Sequence, residues 1–275
     1  MLDRTRIQEI LNRNYSYYDQ YKAPSKRDSR LAFPVRQFLA GQVDRSMSLL
    51  DVGCGHGATL LSLAPLIKKG IGIDENQDLV SIAADTARKE GADNLEFRVA
   101  QSYQLPFEPE SFDLVFSERG PLSGNSGNIQ SGLRVLRPQG MIFAETVGDL
   151  ATWEEAEFFG RGQPRRHEHM TVMEQCRVLF ERNAVDIRLA ADHFGKNTFP
   201  DAYAWLQSRC AISSYLGAES PYGLDPGSVE EFAKAYASAD GSITLTTHTV
   251  WIAGVKKDNP AEYWEHQHFP RERES

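Results

Sequence analysis

The strongest constraint on the fold is a group of glycines between a short apolar run and a helical pattern. Ser48 to Val52 (SLLDV) is apolar enough for a buried parallel strand. Gly53, Gly55 and Gly57 follow it, and from Ala58 to Ile67 apolar residues recur at helical spacing. Glycines allow a sharp turn and close approach of a ligand, and the helix start adds free N–H groups. The stretch therefore predicts a ligand-binding turn between a strand and a helix.

Three interpretations of this turn are possible: it binds a dinucleotide, it binds a ligand with a positive charge, or it binds no ligand. Gly53, Gly55 and Ala58 fit the looser dinucleotide pattern, in which a pyrophosphate lies on the helix N-terminus. Asp51 lies near the end of the strand, two residues before the first glycine, where a carboxylate would repel a pyrophosphate and suit a ligand with an ammonium group. A turn without a ligand needs one glycine rather than three. The acid therefore favours a cationic ligand.

The pattern Asp-x-Gly-x-Gly-x-Gly from Asp51 to Gly57 resembles motif I of the class I S-adenosylmethionine-dependent methyltransferases. Asp74 lies 17 residues after Gly57 at the end of the next predicted strand, where an acid accepts hydrogen bonds from ribose hydroxyls. Capping of the following helix is the alternative role for Asp74. Gln101 to Phe107 resembles motif III, with Gln101 in place of the family's acid; its amide oxygen can still accept from the adenine amino group.

The resemblance implies a cofactor, S-adenosylmethionine, that leaves as S-adenosylhomocysteine. The positions that match the family's cofactor contacts are Asp51, Gly53, Cys54, Gly55, Gly57, Asp74, Glu75, Gln101, Ser102 and Ser117.

The resemblance covers Leu49 to Ala144 by motif and extends to Val255 by strand count. It implies an α/β fold: a doubly wound, seven-stranded, mostly parallel sheet with helices on both faces. The expected organisation is an N-terminal helical cap or lid at 1–40, a Rossmann-like domain at 41–257 and a charged tail at 258–275. The sixth strand is expected to end at Ala191, so that residues 193–242 form an acceptor-side insertion between strands six and seven.

The composition limits which partners and which cellular compartment are expected for this chain. The net charge of −8 argues against a general nucleic-acid surface, which needs a basic face. The three cysteines fit neither a disulfide framework nor a zinc spacing, and no signal core or membrane-length apolar run is present. We therefore expect a cytoplasmic protein with a small-molecule acceptor and no membrane partner, and homodimerisation stays open.

Methyl transfer needs a base only when the acceptor must lose a proton. Glu118, at the tip of the fourth strand, is the candidate base, although it could instead hold the cofactor or pair with Arg119. His167 and His169 supply at most two metal ligands where zinc needs three or four, so no metal site is expected. The candidates for the acceptor side are Tyr18, Arg119, His167, His169 and Tyr203.

Several alternatives stay open on the sequence alone. The family motif of amino-methylating DNA and protein enzymes is absent after strand four, and so is the nucleophilic cysteine of 5-methylcytosine enzymes. An RNA or protein acceptor is the second hypothesis. A non-catalytic S-adenosylmethionine-binding protein is the third, because Gln101 and Gln139 depart from the family pattern. A nicotinamide oxidoreductase is the fourth, and Asp51 argues against it.

Overall fold

The described strands form one seven-stranded sheet. A computed structural model describes residues 2–15, 34–160, 170–215 and 223–257. Its strands are Ser48–Val52 (β1), Lys69–Asp74 (β2), Leu95–Val99 (β3), Phe112–Glu118 (β4), Leu136–Val147 (β5), Val185–Phe199 (β6) and Ile243–Lys256 (β7). Their order is β3-β2-β1-β4-β5-β7-β6, with β1 to β5 parallel and β7 antiparallel to β5. The predicted seven-stranded, mostly parallel sheet is confirmed.

The described helices are Arg4–Asn12 (α1), Pro34–Ala40 (α2), Ala58–Leu63 (α3), Gln77–Glu90 (α4), Ser126–Val135 (α5), Trp153–Phe158 (α6), Val172–Arg182 (α7), Ala202–Tyr215 (α8) and Pro226–Tyr236 (α9). Local chemistry sets the bounds of α4. The Asn76 side chain accepts from two backbone N–H groups at its start, and Gly91 ends it in the left-handed region. None of these helices is long and apolar enough to span a membrane.

Helices pack on both faces of the sheet, as predicted, because side chains alternate along each strand. In β1, Leu50 and Val52 join an apolar layer that includes Ile129 of α5 and Phe180 of α7. Leu49, which points the other way, joins a second layer with the buried side chains of α2 and α3. The two layers position the carboxyl ends of β1, β2, β4 and β5 at one edge of the sheet.

The sixth strand is longer than its pattern indicates. It was expected to end at Ala191 but runs to Phe199. Apart from Phe194, residues 192–198 (DHFGKNT) are polar or glycine, so the segment has no apolar alternation from which a strand could be predicted. Its neighbour β7 holds the far end: the hydroxyls of Thr198 and Thr244 lie 2.9 Å apart, and Lys196 donates to Thr246 at 3.0 Å. Tertiary pairing therefore forms this part of the strand.

The chain divides into two compact units. We call Ser29–Gly148, Arg166–His193 and Thr249–Ser275 the sheet unit, and Met1–Asp28, Asp149–Arg165 and Phe194–His248 the helix unit. Helices α1 and α2, which the sequence groups in one N-terminal cap, belong to different units. The domain boundaries and the lid role of the cap stay predictions.

The helix unit has its own core around α8 and α9. Trp205 and Phe232 are fully buried and stack with ring centroids 4.4 Å apart. Ile7 and Ile10 of α1 pack into the same cluster. Glu155 is buried in the unit as well, where it accepts a hydrogen bond from the Trp205 indole N–H. The described part of the unit therefore combines an aromatic core with the buried Glu155 carboxylate, which also lies 2.9 Å from the Arg209 guanidinium.

Candidate functional site

The glycine turn lies between β1 and α3 and is bonded to β2. The N–H groups of Gly53 and Cys54 both donate to the Ile73 carbonyl oxygen at 2.8 Å. Gly53, Gly55 and Gly57 have φ of +79°, +55° and +78°, in the left-handed region that favours glycine. A Cβ at Gly57 would lie 2.7 Å from the Phe97 ring, whereas a Cβ at Gly55 would meet no atom within 4 Å. Packing explains Gly57, and Gly55 borders open space.

Asp74 bonds the end of β2 to this turn. One carboxylate oxygen accepts from the Gly55 N–H at 2.9 Å, and the other accepts from the Asn76 N–H at 2.9 Å. Because Asn76 caps α4, the alternative role of Asp74 as that helix's cap is wrong. A carboxylate has about four acceptor sites, so both oxygens keep capacity for ribose hydroxyls.

Asp51 is a buried carboxyl with an unused oxygen. It is 2% exposed, and its Oδ1 has no hydrogen-bond partner among the described residues. Burial raises the pKa of Asp51 well above its ordinary value, and Glu118 and Asp74 add to the rise while Arg36 opposes it. A buried polar atom without a partner is rare in native proteins and needs an explanation, and a polar group that binds there would supply one.

Glu118, at the end of β4, lies in a buried ion pair. The Arg36 guanidinium donates to it at 3.3 Å, the Thr59 hydroxyl donates to the same oxygen, and Arg119 lies 3.4 Å from the other oxygen. Burial raises the pKa of Glu118, but Arg119, Arg36 and Thr59 outweigh it and hold the pKa below its ordinary value. A carboxylate stabilised in this way is a weak base, and its catalytic role stays a prediction.

Sequence reasoning missed Arg36 and Thr59. Arg36 lies on α2 between Val35 and Leu39, and all three side chains are buried. An arginine on the apolar face of a predicted helix is a signal that a buried carboxylate lies opposite it. The sequence does not say which carboxylate, because Glu118 is 82 residues away along the chain.

The other predicted cofactor residues fall into two groups. Ser117 is fully buried with a hydroxyl that has no partner among the described residues, and the Ser102 hydroxyl donates to Asn128 at 3.0 Å. Burial, with Asp51 and Asp74, raises the pKa of the Cys54 thiol, so this thiol stays neutral. Glu75 and Gln101 are exposed, and the Gln101 side chain accepts from the Tyr103 hydroxyl. Their cofactor roles stay predictions.

The predicted acceptor-side residues belong to different units or lie outside the described residues. Arg119 is exposed beside Glu118 in the sheet unit. Tyr203 belongs to the helix unit, where its hydroxyl accepts from the Asp3 N–H at 2.7 Å and its ring lies under the Arg6 guanidinium. Tyr18, His167 and His169 lie outside the described residues. Across the described ranges, no group of three or more His, Cys, Asp or Glu side chains has metal-site geometry.

Comparison with known proteins identifies a family and several similar proteins. A family model described as a methyltransferase domain matches residues 43–193. The uncharacterized methyltransferase YcgJ of Bacillus subtilis is 34% identical over 67 residues, which are 24% of this chain and 26% of YcgJ. The crystal structure of YcgJ aligns with 82% of this chain and 98% of its own, at 16% identity and a TM-score of 0.54.

Two further relatives are matched over most of their length. The ubiquinone biosynthesis O-methyltransferase of Bartonella tribocorum is 24% identical, over 62% of this chain and 72% of its own. A structure of geranyl diphosphate methyltransferase in complex with S-adenosylmethionine aligns with 91% of this chain and 95% of its own, at 17% identity and a TM-score of 0.53. Several other curated relatives, YcgJ among them, are covered over only 26% to 56% of their length.

Proposed function

Because the chain belongs to the methyltransferase domain family, we propose that it transfers a methyl group from S-adenosylmethionine to a small-molecule acceptor. The family match also confirms the resemblance that the glycine motif predicted. The observation that carries the proposal is the buried, unpartnered Asp51 carboxyl beside a glycine turn with open space at Gly55.

The residues at the turn fit this cofactor better than a dinucleotide. Asp51 and Asp74 place two carboxyl groups at the ends of β1 and β2, on either side of the glycine turn. S-adenosylmethionine carries an ammonium group and a sulfonium and has no phosphate, so carboxylates attract it. A pyrophosphate at the same place would meet like charge. Asp74 offers acceptor oxygens for ribose hydroxyls, and Asp51 offers one for the ammonium group.

The chain's contribution to catalysis is then chiefly orientation. When bound, the cofactor supplies a methyl group that is electrophilic because it is attached to a sulfonium. The glycine turn is held to β2 by the hydrogen bonds at Ile73 and Asp74, so it is ordered before a ligand binds. Holding two reactants in line can contribute about 7–11 kcal/mol to lowering the barrier. A general base adds to this only for an acceptor that must lose a proton.

A small molecule is the acceptor class that the chain's charge favours. The net charge of −8 opposes binding of nucleic acid. Two of the relatives carry names that refer to small isoprenoid compounds, ubiquinone and geranyl diphosphate. An RNA or protein acceptor and a non-catalytic cofactor-binding role are the competing possibilities.

Calorimetry tests the cofactor, and turnover tests the acceptor. Purified protein is titrated with S-adenosylmethionine, with S-adenosylhomocysteine and with NAD. We expect micromolar binding of the first two and none of NAD. Binding of NAD alone would contradict the proposal. Formation of S-adenosylhomocysteine in the presence of pooled small molecules, but not of RNA or protein, would identify the acceptor class and rule out a non-catalytic role.

Gly55→Ala separates cofactor binding from backbone strain. The new methyl group would enter the open space beside the turn, at a φ of +55° that costs alanine about 1–2 kcal/mol. Gly91→Ala is the matched control, because Gly91 has a φ of +67° and equally open surroundings at the end of α4. We expect both variants to lose similar thermal stability and only Gly55→Ala to lose S-adenosylmethionine binding. Equal binding by the two variants would mean that the ligand does not approach Gly55.

A further inference from the structure

Strand register places four acidic side chains on one face of the sheet. Asp51 pairs with Gly72 of β2 and with Phe116 of β4, and Asp74 and Glu118 each lie two residues beyond those partners. Glu118 in turn pairs with Glu145 of β5. Side chains two residues apart on a strand, and those of paired residues on parallel strands, point to the same face. The carboxyl ends of β2, β1, β4 and β5 therefore carry one row of acids.

The four acids of this row differ in the hydrogen-bond donors that contact them. Glu118 has three donors: Arg36, Thr59 and Arg119. Glu145 accepts from the Trp251 indole N–H at 2.9 Å, and Asp74 accepts from two backbone N–H groups. Asp51, which the row flanks on both sides, retains the unpartnered oxygen.

Charged groups on three neighbouring elements, β2, β4 and α2, affect the Asp51 carboxyl. Glu118 on β4 and Asp74 on β2 repel a negative charge there, and the Arg36 guanidinium on α2 attracts one. The Cys54 thiol in the glycine turn is neutral, since its own pKa is raised by burial and by the neighbouring acids. Glu145 and Arg119 lie one position farther away, on the far side of Glu118. After burial, the ionised Glu118 raises the pKa of Asp51 more than Asp74 does.

We propose that Glu118 is a positioning residue for the cofactor and acts through Asp51: together with the burial of Asp51, the charge of Glu118 keeps a proton on that carboxyl until a cationic ligand replaces the proton. The inference rests on the proposed function, because S-adenosylmethionine is the cation in question. On binding, the proton leaves Asp51 for the buffer and the carboxylate faces the incoming positive charge. The role uses the same ion pair that makes Glu118 a weak base.

The inference fixes the sign of the pH dependence. The pKa of Asp51 in the free protein is raised, so below it the carboxyl is protonated and binding must release the proton. The affinity for S-adenosylmethionine therefore rises with pH by up to about tenfold per unit and levels off above that pKa. Calorimetry in two buffers of different ionisation enthalpy counts the protons directly, and about one is expected on the rising part of the profile.

Glu118→Gln tests the role of Glu118 while keeping the shape of the side chain. Glutamine still accepts from Arg36 and Thr59, but its charge is gone, so Asp51 loses its proton at lower pH. We expect the midpoint of the affinity profile to move down and the proton count at a fixed pH to fall. Glu108→Gln, a change of the same kind at an exposed loop residue, should leave both unchanged.

Three outcomes would contradict either the inference about Glu118 or the proposed function. Uniformly weaker binding of Glu118→Gln with an unchanged midpoint would mean a purely structural role and would overturn the inference. If the native protein bound S-adenosylmethionine equally well at every pH, the inference would be overturned as well, while the proposed function would remain. No binding of this cofactor at any pH would remove the proposed function itself.

Asp51→Asn gives a second measurement that needs no ligand. A carboxyl whose pKa is raised in the folded protein costs stability increasingly as the pH rises above its unfolded value. Asparagine removes that cost, so Asp51→Asn should raise the melting temperature more at pH 8 than at pH 5. A shift in melting temperature at pH 8 that is equal to or lower than the shift at pH 5 would show that Asp51 holds no proton in the free protein.

Discussion

Trp205→Ala is expected to lower the free energy of unfolding by about 3–5 kcal/mol, the usual cost of deleting a buried large aromatic side chain. Trp205 is fully buried in the helix unit, where its ring stacks on Phe232 and Phe159. The change would leave a cavity and would also deprive the buried Glu155 carboxyl of the indole N–H. Urea unfolding followed by circular dichroism measures the loss.

Two further variants separate the causes of that loss. Trp205→Phe keeps an aromatic ring, removes the indole N–H and leaves a smaller cavity, while Arg209 still lies 2.9 Å from the Glu155 carboxylate, so a loss of about 1–3 kcal/mol is expected. Trp153→Ala is the control, because Trp153 begins α6 in the same unit but is 48% exposed. A loss for Trp205→Ala no larger than that for Trp153→Ala would mean that these aromatic rings do not form the core of the helix unit.

The strands that the sequence predicts best are those whose burial follows from local composition. Short apolar runs flanked by turn residues predict β1 at Ser48 to Val52, β2 at Gly70 to Asp74 and β4 at Ser111 to Ser117, and the structure places all three within one residue of these bounds. The far end of β6 could not be predicted, because Asp192 to Thr198 has no apolar period and depends on the neighbouring β7. Local pattern therefore predicts the centre of the sheet and fails where pairing alone forms the strand.

In the candidate site, too, some residues can be predicted from the sequence and others cannot. The glycines, Asp51 and Asp74 lie at fixed spacing within two strand–turn units, so a linear motif is enough to find them. Arg36 contributes to the site only because α2 packs across the ends of distant strands, and no spacing rule relates it to Glu118. The protonation of Asp51 depends on burial and on three surrounding charges, which only the assembled sheet brings together.

Asp74→Ala is expected to weaken S-adenosylmethionine binding by about 1.5–3 kcal/mol, the range for lost hydrogen bonds to a charged group. In affinity this is about 10- to 150-fold. The fold should persist, because Asp74 is only partly buried and α4 keeps its own cap at Asn76. Asp78→Ala is the control: Asp78 is an exposed acid in the first turn of α4. Calorimetry on the three proteins measures the difference, and an unchanged affinity would mean that Asp74 is not a cofactor ligand.

The structure gives Asp74 two ways to act, and a ligand series distinguishes them. Its carboxylate can bind the ribose directly, or it can act only by holding the Gly55 N–H and thereby the shape of the turn. An S-adenosylhomocysteine analogue without the ribose 2′-hydroxyl completes a double cycle with Asp74→Ala. Direct contact makes the two deletions non-additive, because each removes the same hydrogen bond. Additive losses would assign Asp74 to the turn alone, and another group would then have to bind the ribose.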